Sequence, residues 1–283
     1  MKLFSFLFAL TMGFSAHALP LRSQAELQSL DLPPSFTANY NFEGIVALNN
    51  CSGSIVRFET SKETDQAMVL TNGHCLEGGM PAPGVVVVNR PSTRAFRVLN
   101  PAATNLGTVT ATTVLYATMT NTDMSLYRLK ETFATIKTKF NVLPLTMSSK
   151  HPETGMEIEV ISGYWKKGYS CGIEAFASEL KEDDWTMVDS IRYSRPGCET
   201  IGGTSGSPVI LAGTRTVIGV NNTGNEDGMK CTMNNPCEVD SAGNVTAVKG
   251  YSYGQQTYWV YSCLTENNQI DLNQEGCLLP HQE

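Results

Sequence analysis

From Gly44 onward the chain alternates short apolar or β-branched runs with polar turns rich in Gly and Pro, a pattern that predicts one short strand after another. The first series falls at residues 45–48, 54–58, 68–71, 85–88, 108–116 and 125–129. A second falls at residues 157–161, 172–177, 187–193, 208–211, 216–221 and 257–261. Between them, residues 131–154 lack that period and carry Pro144 and Pro152, which puts a domain boundary there. The division expected is residues 41–145 as a first unit and 146–283 as a second. No long amphipathic helix separates the strands and no internal repeat is visible, so the fold class is all-β and antiparallel.

The first eighteen residues follow a different pattern. Lys2 precedes an apolar run over residues 3–14, and Ala16-His17-Ala18 ends it with small residues at alternate positions. That is a secretory signal, cleaved after Ala18. The run is too short to span a bilayer, which takes roughly 20 apolar residues. No later stretch approaches that length, so the mature chain is expected to be exported and soluble, in the periplasm or outside the cell, with no stable membrane insertion. Residues 19–40 are polar and contain prolines, and read as an N-terminal arm or a short propeptide.

Composition narrows the function classes. The formal net charge of −7, from 20 Lys and Arg against 27 Asp and Glu, argues against a nucleic-acid partner, which selects for clustered cations. Eight cysteines, all beyond the signal, imply four disulfides in an exported protein. With no C-x-x-C or H-E-x-x-H in the chain, no metal and no cofactor are expected. Cys263 with Cys277 makes a tail clasp. For the middle four, Cys171–Cys198 with Cys231–Cys237 competes with a Cys198–Cys231 pairing, and sequence leaves that choice open. The acidic loop 225–250, with Glu226, Asp227, Glu238 and Asp240, lacks EF-hand spacing and reads as a solvated loop rather than a calcium site.

Three stretches carry chemistry: Leu70-Thr71-Asn72-Gly73-His74-Cys75, Asp123-Met124-Ser125-Leu126 and Gly203-Thr204-Ser205-Gly206-Ser207-Pro208. A serine hydroxyl is a poor nucleophile until a base takes its proton, and the base is oriented by a third group. Of four histidines, His17 leaves with the signal, His281 is near the end and His151 falls in the boundary segment, which leaves His74 as the base. Asp123 begins a strand, where a half-buried carboxylate can accept from the imidazole; a simple turn aspartate is the plainer alternative. Ser205 lies among Gly202, Gly203 and Gly206, whose permissive backbone lets N–H groups converge on one point.

In their order and content the three motifs resemble the trypsin-like (chymotrypsin-fold) serine proteases, and in particular their bacterial secreted members, where Ser-Gly-Ser-Pro commonly replaces Ser-Gly-Gly-Pro. The likeness covers residues 44–261. It implies two six-stranded antiparallel β-barrels packed together with the active cleft between them, the first carrying His74 and Asp123 and the second Ser205. It implies a Cys51–Cys75 disulfide closing the histidine loop, an oxyanion hole made by the amides of Gly203 and Ser205, and hydrolysis of polypeptides by a monomer. Counting back from Ser205, the resemblance implies Glu199 or Thr200 as pocket residues, with Asn221 on the later pocket strand; Asn222-Thr223-Gly224 matches the segment that pairs with extended substrate. Thr204 replaces the aspartate that pairs with a freshly cut N-terminus in the animal digestive members, so that activation route is not expected. Asn72-Gly73 replace two alanines, which implies a looser backbone behind His74. An α/β-hydrolase is excluded: the serine motif lacks the last glycine of G-x-S-x-G and the order of the triad is wrong. Two other readings stay open, a catalytically silent scaffold of the same shape that binds protein or peptide, and a disulfide-stapled structural protein.

Overall fold

A computed structural model of the chain describes residues 40–281; the signal at 1–18 and all of the 19–40 lead except Tyr40 lie outside the described residues. The elements run β1 Ile45–Ala47, β2 Ser52–Arg57, β3 Gln66–Thr71, β4 Val86–Pro91, β5 Ala95–Leu99, β6 Asn105–Thr118, β7 Met124–Thr132, α1 Phe133–Phe140, β8 Leu145–Met147, β9 Glu157–Ser162, β10 Lys167–Glu182, β11 Trp185–Tyr193, β12 Pro208–Leu211, β13 Thr216–Gly224, β14 Cys237–Val239, β15 Val245–Thr246 and β16 Ser252–Gln256. A 3₁₀ turn, Tyr258–Cys263, follows.

The all-β expectation holds. Strands β1, β2, β3, β7, β6 and β5 pair antiparallel in a closed ring, β5 returning to β1. A second closed ring runs β9, β12, β13, β16, β11, β10 and back to β9. Closure leaves no exposed ladder edge within either ring. The short strand β8 pairs parallel with β2 on one side and β13 on the other, so one sheet is continuous across both barrels.

Each barrel has its own core: Ile55, Val69, Phe96 and Tyr127 are in the first, and Ile158, Val160, Ile191 and Val209 are in the second. A third cluster lies along the seam, where Ile45, Leu70 and Leu126 meet Ile161, Val217 and Val220. The chain beyond β16 packs back onto the first barrel. Trp259 and Leu279 share a cluster with Tyr116, whose hydroxyl donates to the Pro280 carbonyl at 2.8 Å.

Two expectations are corrected. The apolar run 257–261 is not a strand but mostly 3₁₀ turn, and the strand beside it is the polar β16, all five of whose residues are buried. Its glutamines bond to the neighbouring strand β11, the Gln255 amide donating to the Ser190 hydroxyl and Gln256 Nε2 to Asp189, so hydrophobicity does not reveal it. The segment 131–154 also contains a helix. Thr132 caps α1 by accepting from the Thr135 N–H at 3.1 Å, Phe133, Ile136 and Phe140 bury one face, and Asn141 ends it with φ at +52°.

Candidate active site

All four disulfides are formed: Cys51–Cys75, Cys171–Cys198, Cys231–Cys237 and Cys263–Cys277. The first fixes the segment that carries His74 just after β3. The register of β3 on β7 sets Thr71 opposite Ser125, which brings the two following and preceding loops side by side. Asn72 and Ser125 lock that approach: the Asn72 side chain donates to the Asp123 carbonyl at 2.8 Å, and the Ser125 hydroxyl donates to the Asn72 carbonyl at 2.8 Å.

Asp123, 1% exposed, directs both carboxylate oxygens at His74. Oδ1 accepts from the backbone N–H at 3.0 Å and Oδ2 lies 2.5 Å from Nδ1. A carboxylate only accepts, so the ring proton sits on Nδ1 and Nε2 is left as the base. Burial disfavours the imidazolium, but the Asp123 charge, its hydrogen bond and the Glu182 charge outweigh it, and the His74 pKa lies above the usual histidine value.

Ser205 sits in the turn before β12. Its carbonyl accepts from Ser52 N–H at 2.8 Å, and the next amide, Gly206, donates to Asn221 O at 2.9 Å. Gly206 has φ at +80°, and a Cβ there would overlap the Thr71 hydroxyl and the Ser52 carbonyl. Gly203, with φ at +87°, also needs glycine. Among the described residues the N–H groups of Gly203 and Ser205 donate to no protein acceptor. The Ser205 hydroxyl donates to Asn222 O at 3.3 Å rather than to His74 Nε2.

His74, Asp123 and Ser205 line one cleft together with Thr200, Asn221, Asn222, Thr223 and Gly224. The Asn221 Oδ1 and Asn222 Nδ2 atoms are buried without a protein partner. Glu199 does not line the cleft; it is exposed and its carboxylate accepts from Gly197 N–H at 3.0 Å. Thr204 is fully buried, its hydroxyl 3.5 Å from that of Tyr169. His74 also lies near the sulfurs of Cys51 and Cys75, but both are joined in a disulfide and offer no thiolate.

Sequence reasoning missed one wall of the cleft. The β10–β11 hairpin reaches the first barrel, where Trp185 Nε1 donates to Pro81 O at 2.9 Å and Asn121 exchanges backbone hydrogen bonds with Thr186 and Val188. It presents Trp185, Met187 and Glu182 to the cleft, which Met80 and Met119 also line. The Glu182 carboxylate accepts from the Asn234 N–H at 2.7 Å and from the Thr223 side chain. Burial raises its pKa despite those bonds. Among the described residues the cleft's ionisable lining is His74, Asp123, Glu182 and Glu226, without a lysine or arginine. No local motif marks Glu182; only the hairpin's length puts it there.

The family model for the trypsin-like peptidase domain matches residues 51–220. Among solved structures, the protease domain of MamO from Magnetospirillum magneticum is similar at 14% identity and TM-score 0.48, covering 80% of this chain and 98% of that one. A Cellulomonas bogoriensis chymotrypsin is similar at 13% identity and TM-score 0.42, covering 77% and 91%. A Nocardiopsis protease is similar at 15% identity and TM-score 0.43, covering 77% and 93%. No curated protein matches the chain. Among the described residues no helix is long and apolar enough to cross a membrane.

Proposed function

Because the chain belongs to the trypsin-like peptidase family, we propose that it is an exported serine endopeptidase that cleaves polypeptides through an acyl-enzyme. The observation that carries this reading is the single cleft lined by a carboxylate-oriented His74, by Asp123 and by Ser205, with the unpaired N–H groups of Ser205 and of nearby Gly203 available as donors. Ser205 Oγ attacks the scissile carbonyl carbon as His74 Nε2 takes its proton. The oxyanion accepts from Gly203 and Ser205 N–H, and His74 returns the proton to the leaving amine as the C–N bond breaks. Water then attacks the ester by the same route, releasing the acid and restoring Ser205. Asp123 holds the Nδ1–H tautomer and stabilises the imidazolium. The segment Asn222-Thr223-Gly224 pairs with β16 on one edge and lies beyond the β12 pairing on the other, where the Ser205 hydroxyl bonds Asn222 O, so that edge is offered to an extended substrate. Four disulfides and the signal pattern at residues 1–18 support export to the periplasm or beyond.

A second reading, a silent scaffold that binds without cutting, is favoured by one contact: the Ser205 hydroxyl is turned to Asn222 O instead of His74. Catalytic hydrogen bonds are commonly loose before substrate arrives, which favours the first reading. Labelling with a fluorophosphonate probe decides between them. Covalent label on Ser205 that disappears in Ser205→Ala supports the peptidase; an unlabelled, folded, disulfide-intact chain supports the scaffold.

A further inference from the structure

The two amides assigned to the oxyanion hole belong to two peptide units, Gly202–Gly203 and Thr204–Ser205. In a trans peptide the N–H and C=O point in opposite directions, so whatever captures the carbonyl also aims the amide. The Thr204 carbonyl is captured by backbone: it accepts from Ser207 N–H at 3.0 Å inside the turn, a bond that needs no particular side chain. The Gly202 carbonyl has a different partner. It accepts from the Trp165 indole Nε1–H at 2.7 Å.

That unit joins two glycines, and no neighbouring atom crowds Gly202: a Cβ there would meet nothing within 4 Å. A Gly-Gly peptide can rotate about its flanking dihedrals at little steric penalty, carrying the Gly203 N–H away from the cleft. Trp165 therefore supplies a restraint that the local backbone lacks. The indole also limits the space on Gly203, where a Cβ would come 2.9 Å from Nε1.

The residue's setting points the same way. Trp165 is 49% exposed, so core burial does not explain it. It sits in the β9–β10 turn, stacked edge to face on Tyr164 with centroids 4.9 Å apart. Two fully buried serines anchor that turn. Trp165 N–H donates to Ser162 Oγ at 3.2 Å and Tyr164 N–H to Ser52 Oγ at 3.1 Å, and the two hydroxyls are 2.9 Å apart. The Ser52 hydroxyl in turn donates to Gly203 O at 3.2 Å. One connected network thus binds the carbonyls of both Gly202 and Gly203.

We propose that Trp165 is a positioning residue for catalysis, its indole N–H pinning the Gly202–Gly203 peptide so that the Gly203 amide faces the developing oxyanion. The inference rests on the serine-peptidase reading of Ser205. It requires no contact between Trp165 and substrate, and acts on the barrier through the oxyanion donor.

The test uses the full mature chain and a fluorophosphonate probe, whose phosphonyl oxygen takes the place of the oxyanion as Ser205 Oγ bonds to phosphorus and fluoride departs. Trp165→Phe keeps an aromatic ring and removes the N–H. The end-point amplitude counts competent molecules, and the second-order rate constant reports the barrier in each. The expected result is unchanged amplitude with labelling at least tenfold slower, bounded by the roughly 10²–10³-fold loss typical of deleting one oxyanion donor. Hydrolysis of fluorescein-casein should fall in kcat by the same factor with KM little changed. An unchanged rate constant overturns the proposal, whether the amplitude is kept or reduced; the reduced case would mean that the indole only supports the fold. Failure of the underlying reading looks different, because the unsubstituted chain would then take no label at all.

Discussion

Gly73 lies so close to the backbone carbonyl of Thr118 that a Cβ at position 73 would overlap the oxygen and would also come 3.0 Å from Asp123 Oδ1. The glycine that precedes the candidate base is therefore a steric requirement, and not merely a looser backbone behind His74. Gly73→Ala must move either the β6–β7 connection or the histidine segment. An overpacked site of this kind costs about 1–3 kcal/mol. A drop in melting temperature with much slower fluorophosphonate labelling is expected, and an alanine variant that matches the parent in both would show that the backbone has room to give.

Asp123→Asn removes the acceptor that holds the Nδ1–H tautomer. The amide nitrogen can then face Nδ1, which leaves the proton on Nε2 and the base blocked. By the effect of the same change in known Ser-His-Asp triads, kcat should fall about 10⁴-fold with KM changed far less. Ser205→Ala should fall further, by about 10⁶-fold, while peptide binding survives. Steady-state hydrolysis of fluorescein-casein measures both.

Glu182 contributes to the raised pKa of His74. Activity needs His74 neutral, so kcat/KM should decline as pH falls through that raised value. Glu182→Gln removes a negative charge that favours the imidazolium, so the pKa of His74 drops and the acid limb of the profile moves to lower pH. A profile that moves to higher pH, or not at all, would show that Glu182 acts only by tying Thr223 and Asn234 together.

The Cys51–Cys75 bridge spans a sequence separation of 24 residues. Loop-closure entropy for a ring of that size predicts about 3.5 kcal/mol lost in the Cys51→Ala, Cys75→Ala double variant, visible as a lower urea midpoint, with a steeper slope as the released loop expands the denatured chain. The fraction of molecules that take the probe should fall as well, because the bridge fixes the segment bearing His74.

Most of the strands were legible because short apolar and β-branched runs between polar turns mark buried strands: β12 and the starts of β9 and β13 fall where the pattern puts them. The three candidate residues His74, Asp123 and Ser205 were legible because each sits in a short local motif, and all three line one cleft. Composition and the eight cysteines, with the basic-apolar-small start, spoke for export and for four disulfides. What the sequence left open was whatever depends on contacts between distant segments. The pairing of Cys171 with Cys198 was one such choice, and the strand character of β16, whose glutamines find their partners on β11, more than sixty residues earlier in the chain, was another. The need for glycine at position 73 arises from a carbonyl on a different strand. Glu182 reaches the cleft by the length of a hairpin, and Trp165 reaches Gly202 across the β9–β10 turn. Local chemistry names the groups that react, because reactivity belongs to a side chain. Aim belongs to the fold, because a peptide plane or a carboxylate is oriented only by the atoms that tertiary structure brings against it.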